Sequence, residues 1–167
     1  MTSNQHPDVS LMGLHINTVL QAILNCILSS LHQAGFEDIR PAHLSIFRNL
    51  VPHGLHVSEL ADRAGIAKAS AIYLIDYLEE RGYVERVPDA HDGRATLVQF
   101  SERGWLTYEV ASSATLQLQK EWAELVGSDE MQVFLATLAL IANHATAQQT
   151  EQNTSRARLR GRRHAGL

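Results

Sequence analysis

Apolar residues recur at helical spacing from Ser10 to about Ala34, at Ile16, Leu20, Ile23, Ile27 and Leu31. Leu24 and Leu28 widen that stripe beyond what one neighbouring helix would cover. "GFEDIRP" interrupts the pattern, and Pro41 suits the first position of a second helix, where a missing N–H costs nothing. That helix is expected to reach about Leu50, with Leu44, Phe47 and Val51 on one side, before Pro52 and Gly54 break it. A short helix from Ser58 to Ala64 follows, turning Leu60, Ala61 and Ala64 inward. Gly65 can take the left-handed backbone of a tight exit. Ile66 fills the corner, and the next helix runs from about Lys68 to Arg81. Its inner face is Ala71, Leu74, Ile75 and Leu78, spaced i, i+3, i+4, i+7, and Gly82 closes it.

The period then changes from that of a helix to that of a strand. Val84–Val87 and Thr96–Phe100 alternate on either side of "PDAHDGR", where Asp92-Gly93 is a hairpin-turn signal. Helical spacing returns at Ser101, a good N-cap, and continues to about Val126 through Ala111, Ala114, Leu118, Trp122 and Leu125. "GSDEM" restarts the chain, with Ser128 expected as N-cap and Asp129 and Glu130 favourably placed in the first turn. The last helix carries Met131, Phe134, Leu135, Leu138, Ile141 and Ala142 on one face, and Val133 and Leu140 make it apolar nearly all round.

Two short helices joined by a Gly-containing turn, followed at once by a hairpin, make a winged helix-turn-helix. The expected fold class is mainly α with a small β-hairpin wing. A winged lobe at 39–104 is flanked by long N- and C-terminal dimerisation helices at 10–38 and 105–149. Helices so apolar need cover from several sides, and with so small a lobe the expected cover is a second copy in a symmetric homodimer.

Composition narrows the setting. At 167 residues with 45% hydrophobic and 19% charged side chains, the chain can build a real core. One cysteine, Cys26, rules out an intramolecular disulfide framework and points to a reducing cytoplasm. "MTSNQHPDVS" lacks the basic start and apolar run of a signal peptide. "VLQAILNCILSSL" is interrupted by Gln21 and Asn25 and falls short of a membrane span, so no membrane is expected. Basic groups number 14 against 18 acidic, and Arg156, Arg158, Arg160, Arg162 and Arg163 cluster near the C-terminus. Setting those five aside leaves 9 basic groups upstream against 18 acidic. A uniformly basic surface is excluded, but a locally basic face is not, because salt confines each charge's reach to roughly 8 Å. The tail, 150–167, lacks apolar periodicity and is expected to be a disordered Arg-rich extension, either passive or adding phosphate contacts.

A helix of this kind presents the outer side of its first turns to the major groove of double-stranded DNA. Here that side carries Lys68, Ser70, Ile72 and Tyr73. Lys68 can reach a phosphate or a guanine edge, and Ser70 and Tyr73 can donate hydrogen bonds. Ile72 can meet a thymine methyl, or it is buried against a neighbouring element. In the wing, turn chemistry alone accounts for Asp92 and Gly93 but does not ask for arginine at Arg94. A guanidinium at a hairpin tip can enter a narrow minor groove, where the negative potential is enhanced. Arg86 is the second candidate, for a phosphate.

The segment "VSELADRAGIAKASAIYLIDYLEERGYVERVPDAHDGRATLVQFSERG" resembles the DNA-binding core of MarR-type transcriptional regulators. The resemblance rests on the "SELA" helix, the "RGYVER" junction, Asp92 and Arg94 in the wing, and "SERG" behind it, and covers roughly Ile39 to Gly104. It implies a repressor relieved by a small aromatic or phenolic effector, bound in a cleft between the dimerisation helices and the winged lobe. It also implies that Arg94 enters the minor groove and that Asp92 helps to hold it. The pattern commonly has a polar residue at Ile72 and arginine at Tyr73, so the recognised sequence differs from the usual one. Some relatives sense oxidants through a first-helix cysteine, which makes Cys26 an alternative trigger, against the reading of a buried structural thiol. A winged-helix assembly module without DNA binding is the other alternative. Nine histidines show no H-E-x-x-H spacing and no second cysteine accompanies them, so neither metal nor cofactor is expected. The absence of a phosphate loop, nucleophile elbow or carboxylate pair argues against an enzyme.

Overall fold

The computed structural model describes residues 11–164, with side chains to residue 148. The polar start and residues 165–167 lie outside the described residues, as do the side chains of the tail arginines. The order is α1 (Leu11–Gln33), α2 (Pro41–Phe47), α3 (Val57–Ala64), α4 (Lys68–Glu80), β1 (Val84–Pro88), β2 (Thr96–Phe100), α5 (Glu102–Val126) and α6 (Ser128–His164). Two compact units, Met1–Leu118 and Gln119–Leu167, divide within α5.

The first unit holds the core. Leu31 of α1, Leu44 and Ile46 of α2, Leu60 of α3, and Ala71, Ile75 and Leu78 of α4 are buried together with Tyr83, Val84, Val98 and Phe100. Leu24, Ile27 and Leu28 pack against this cluster, so the second half of α1 is anchored. By length and composition alone, α1 is long and apolar enough to cross a membrane (23 residues, mean hydropathy 1.6). That corrects the expectation that its apolar run is too short: the helix holds Gln21 and Asn25 within one continuous span. Pro41 opens α2 as expected, while α2 ends at Phe47, short of Leu50.

The wing is a two-stranded antiparallel ladder running from Val84↔Phe100 to Pro88↔Thr96. A bridge between Leu55 and Val98 fastens it to the lobe, with N···O distances of 3.0 and 2.8 Å. Gly54 makes that approach possible: its φ is +78°, and a Cβ there would sit 3.0 Å from the Val98 carbonyl oxygen. Gly104 of "SERG" has a similar reason, since a Cβ at that point would collide with the Tyr83 carbonyl. Ser101 caps α5 by accepting the Gly104 N–H at 3.1 Å.

In the second unit, Gly127 at φ +106° stands at the cap position ahead of α6, and its carbonyl accepts the Met131 N–H at 3.0 Å. Ser128, expected as that cap, is the first helical residue. α6 continues to His164, so residues 150–164, expected as a disordered extension, are helical. That stretch lacks proline and holds five arginines, which favour helix without any apolar stripe. Val133, Phe134, Leu138, Leu140 and Ile141 remain exposed in the single chain, Leu140 by 72%.

Candidate DNA interface

Helices α3 and α4 pack on each other and form the helix-turn-helix. Gly65 ends α3 in the left-handed conformation, φ 67° and ψ 30°, which lets α4 start at Lys68. Ala71, Ile75 and Leu78 turn into the core, and this phase places Lys68, Ser70, Ile72 and Tyr73 together on the exposed side. Ile72 is 39% exposed and Tyr73 72%, so neither is buried within the lobe.

Asp92-Gly93 opens a four-residue turn at the wing tip, but not the two-residue connection of a tight hairpin. The ladder stops at Pro88↔Thr96, and Gly93 does not take a positive φ. Instead, two aspartates shape a longer loop. Asp89 Oδ1 accepts the His91 N–H at 2.8 Å, and Asp92 Oδ1 accepts the Arg94 N–H at 3.1 Å. Each is an aspartate capping the amide two residues on. A backbone bond from Asp89 N to Ala95 O (3.0 Å) closes the neck, and one from Ala95 N to Asp92 O (2.8 Å) closes the turn at the tip. Asp92 thus holds the backbone of Arg94 and leaves its guanidinium exposed, paired with no carboxylate among the described residues.

Arg86 is placed differently from the expectation. Its Nη2 lies 2.6 Å from Asp76, and its Nη1 pairs with Glu79. Both acids are on α4, so Arg86 braces the first wing strand against the recognition helix rather than standing free for a phosphate. Arg81 and Arg103 are also engaged, lying 3.5 and 3.9 Å from Asp38. Arg103 donates at 2.9 Å to the buried Tyr83 hydroxyl, which itself donates to Asp38. Burial first, and then the Asp38 hydrogen bond, push the Tyr83 phenol well above its ordinary range, so it stays a donor. This junction ties the α1–α2 loop, β1 and the start of α5 together.

Still within the first unit, a cavity of about 570 Å³ opens between α1, α2, β2 and α5. Leu24, Ile27, Leu44, Phe47, Phe100 and Tyr108 form much of its wall, and Arg48 is its one cationic lining residue. Phe100 stands 6.0 Å from Phe47 and 5.9 Å from Tyr108, ring centre to ring centre, giving one end an aromatic lining. Cys26 is half-buried, with its thiol 3.8 Å from the Ala114 carbonyl oxygen.

Residues 37–95, which span the helix-turn-helix and most of the wing, match the MarR family. Over those residues the chain is similar to the MarR family. The match supports a DNA-binding transcriptional regulator. The transcriptional repressor MdtR of Bacillus subtilis (strain 168) is 24% identical over 89% of this chain and 92% of its own length. CouR of Rhodococcus jostii RHA1, solved with p-coumaroyl-CoA, has the same fold at a TM-score of 0.59 and 22% identity, over 76% of this chain and 88% of its own. CouR on a 23-mer DNA duplex aligns at 0.59 and 23%, over 83% and 99%. NadR with 4-hydroxyphenylacetate aligns at 0.62 and 22%, over 85% and 97%.

The fold gathers Lys68, Ser70, Ile72 and Tyr73 on one exposed helix side and sets Arg94 at the wing tip. Sequence reasoning missed the Asp38–Tyr83–Arg103 junction and the cavity wall, because both join residues far apart in the chain. One signal was present: "RGYVER" and "SERG" place Arg81, Tyr83 and Arg103 at the two ends of the hairpin.

Proposed function

We propose that this regulator is a cytoplasmic homodimeric repressor, not attached to a membrane, that reads a pseudo-palindromic operator and releases it when an effector binds. The observation that carries the reading is the selective exposure of cations. Among the described residues, Lys68 and Arg94 have no carboxylate partner on the DNA-facing side, while Arg81, Arg86 and Arg103 are held by carboxylates. α4 lies in the major groove, with Lys68 on a phosphate or guanine edge, Ser70 and Tyr73 donating to base edges, and Ile72 against a thymine methyl. Arg94 enters the adjacent minor groove, its backbone held by Asp92. Two such lobes related by a dyad address half-sites about one helical turn apart. The exposed apolar side chains of α6, and separately Leu11, Leu14 and Ile16 on α1, are surfaces that a second copy covers.

The effector occupies the cavity between α1, α2 and α5. Its aromatic end suits a planar ring, and Arg48 suits a carboxylate or phenolate on that ring. NadR's complex with 4-hydroxyphenylacetate supports an effector of this class. The test is binding to fluorescent genomic fragments, titrated with aromatic acids. Arg94→Ala is expected to weaken binding and relax selection among fragments, and Arg48→Ala to leave DNA binding intact while weakening release by the acid. Binding that ignores salt and the Arg94 change would instead mark an assembly module.

A further inference from the structure

We propose that His56 and Asp89 form a proton-dependent latch that positions the wing loop, complete only when the His56 imidazole carries both of its protons. The proposal rests on the wing being a DNA contact, but the latch itself belongs to the free protein.

His56 stands just before α3 and reaches across to both sides of the loop's neck. Its Nδ1 lies 3.1 Å from the Thr96 carbonyl oxygen, at the start of β2. Its Nε2 lies 3.1 Å from Asp89 Oδ2, just past the end of β1. A carbonyl and a carboxylate only accept hydrogen bonds, so each contact requires a proton on the facing nitrogen. A neutral imidazole has one such proton and leaves the other nitrogen's lone pair against an acceptor. The imidazolium makes both bonds and joins the two strand ends to the helix-turn-helix. The neck it grips also holds the Asp89–Ala95 backbone bond, and Arg94 is the next residue.

The surrounding charges leave this dependence intact. Asp89 titrates below the usual carboxylate range, chiefly because the His91 N–H donates to it, with the His56 and His91 charges acting in the same direction. Its carboxylate therefore stays ionised wherever an imidazole changes charge. His91 is the other titratable group of the loop that acts on Asp89. On the adjoining helix, Glu59 is paired with Arg63 at 3.5 Å.

The experiment is hydrogen exchange of the His91, Arg94 and Ala95 amides in the DNA-free protein from about pH 8 to about pH 5.5, corrected for intrinsic rates. Protection of the wild type is expected to rise about two- to fivefold toward acid, the range of a partly exposed ion pair. His56→Gln should be flat. Asp89→Asn keeps an acceptor for the His91 amide, and its side-chain NH2 can donate to a neutral His56, so protection should already be complete at the alkaline end. His91→Asn should follow the wild type. A flat wild type, or a trend that survives in His56→Gln, overturns the latch.

Operator affinity over the same pH range provides the second readout. It should rise with protection, while the salt slope stays constant because the latch adds no phosphate contact. A slope that steepens in acid would mean that a histidine touches DNA, and would overturn the positioning role. A protein that fails to bind DNA but shows the exchange trend would sink the operator reading and leave the latch standing.

Discussion

The base and the tip of the wing use arginine in opposite ways. At the base, Arg86 is held by Asp76 and Glu79 and is only 26% exposed, so its charge is spent inside the protein. At the tip, Arg94 is held by its backbone alone and its charge is left uncommitted. The difference teaches that in an acidic chain the number of arginines says little about DNA contact. What matters is which of them no carboxylate has claimed. Paired arginines fix the angle between wing and recognition helix, and unpaired ones spend their charge on a partner.

The strongest way to break that comparison is to exchange the two phenotypes. Arg94→Ala is expected to weaken operator binding about tenfold or more and to relax sequence preference. In a dimer it should also make the log–log salt slope shallower by about 2, since two phosphate-region cations are lost. Its thermal midpoint should not move. Arg86→Ala should do the reverse: about 1 kcal/mol of stability lost or less, with a smaller, roughly threefold, loss of affinity as α4 and β1 loosen and two carboxylates are left unpaired. Affinity and melting measured on both variants at one salt concentration decide the matter. Equal affinity losses with unchanged melting would erase the distinction between base and tip.

Much of the lobe was legible because local chemistry decided it. The i, i+3, i+4, i+7 pattern put Ala71, Ile75 and Leu78 inside and thereby fixed which side of α4 faces out. Gly65 marked a left-handed exit, and Ser101 a cap. Arg86 was not legible, because its partners lie on α4 and no spacing rule connects them to a strand residue. The wing turn was legible in part: Asp92-Gly93 does open a tight turn, but Asp89 and Asp92 cap amides two residues on and set it in a wider loop. Beyond residue 149, helix propensity acts without an apolar stripe, and a reading based on periodicity had nothing to register.

A smaller effect sharpens the account of the tip. Asp92→Ala removes the acceptor of the Arg94 amide and frees the loop, and a two- to threefold loss of affinity is expected, about the size of one local hydrogen bond. Asp92→Asn retains an acceptor oxygen and should stay near the wild type. Parallel losses in the two variants, read by the same binding titration, would assign Asp92 an electrostatic role rather than a geometric one.

A different effect lies between α2 and α4, where a buried histidine should respond to acid in the sense opposite to the latch. His43 is 5% exposed, accepts the Arg40 N–H on Nδ1 at 3.1 Å, and stacks on Tyr77 with ring centres 4.4 Å apart. Burial lowers its pKa from the ordinary 6.5, Asp38 opposes that shift, and Arg40 and Arg81 add to it. The unfolded chain therefore takes up this proton first. The contribution of His43 to stability is full above about pH 6.5 and declines as the pH falls toward the folded-state pKa, by at most about 1.4 kcal/mol per pH unit. Urea midpoints between about pH 7.5 and about pH 5 should fall for the wild type and flatten for His43→Gln, which cannot titrate. If the decline survives that substitution undiminished, the acid sensitivity belongs to another group, and the base of the lobe is not where protons are kept out.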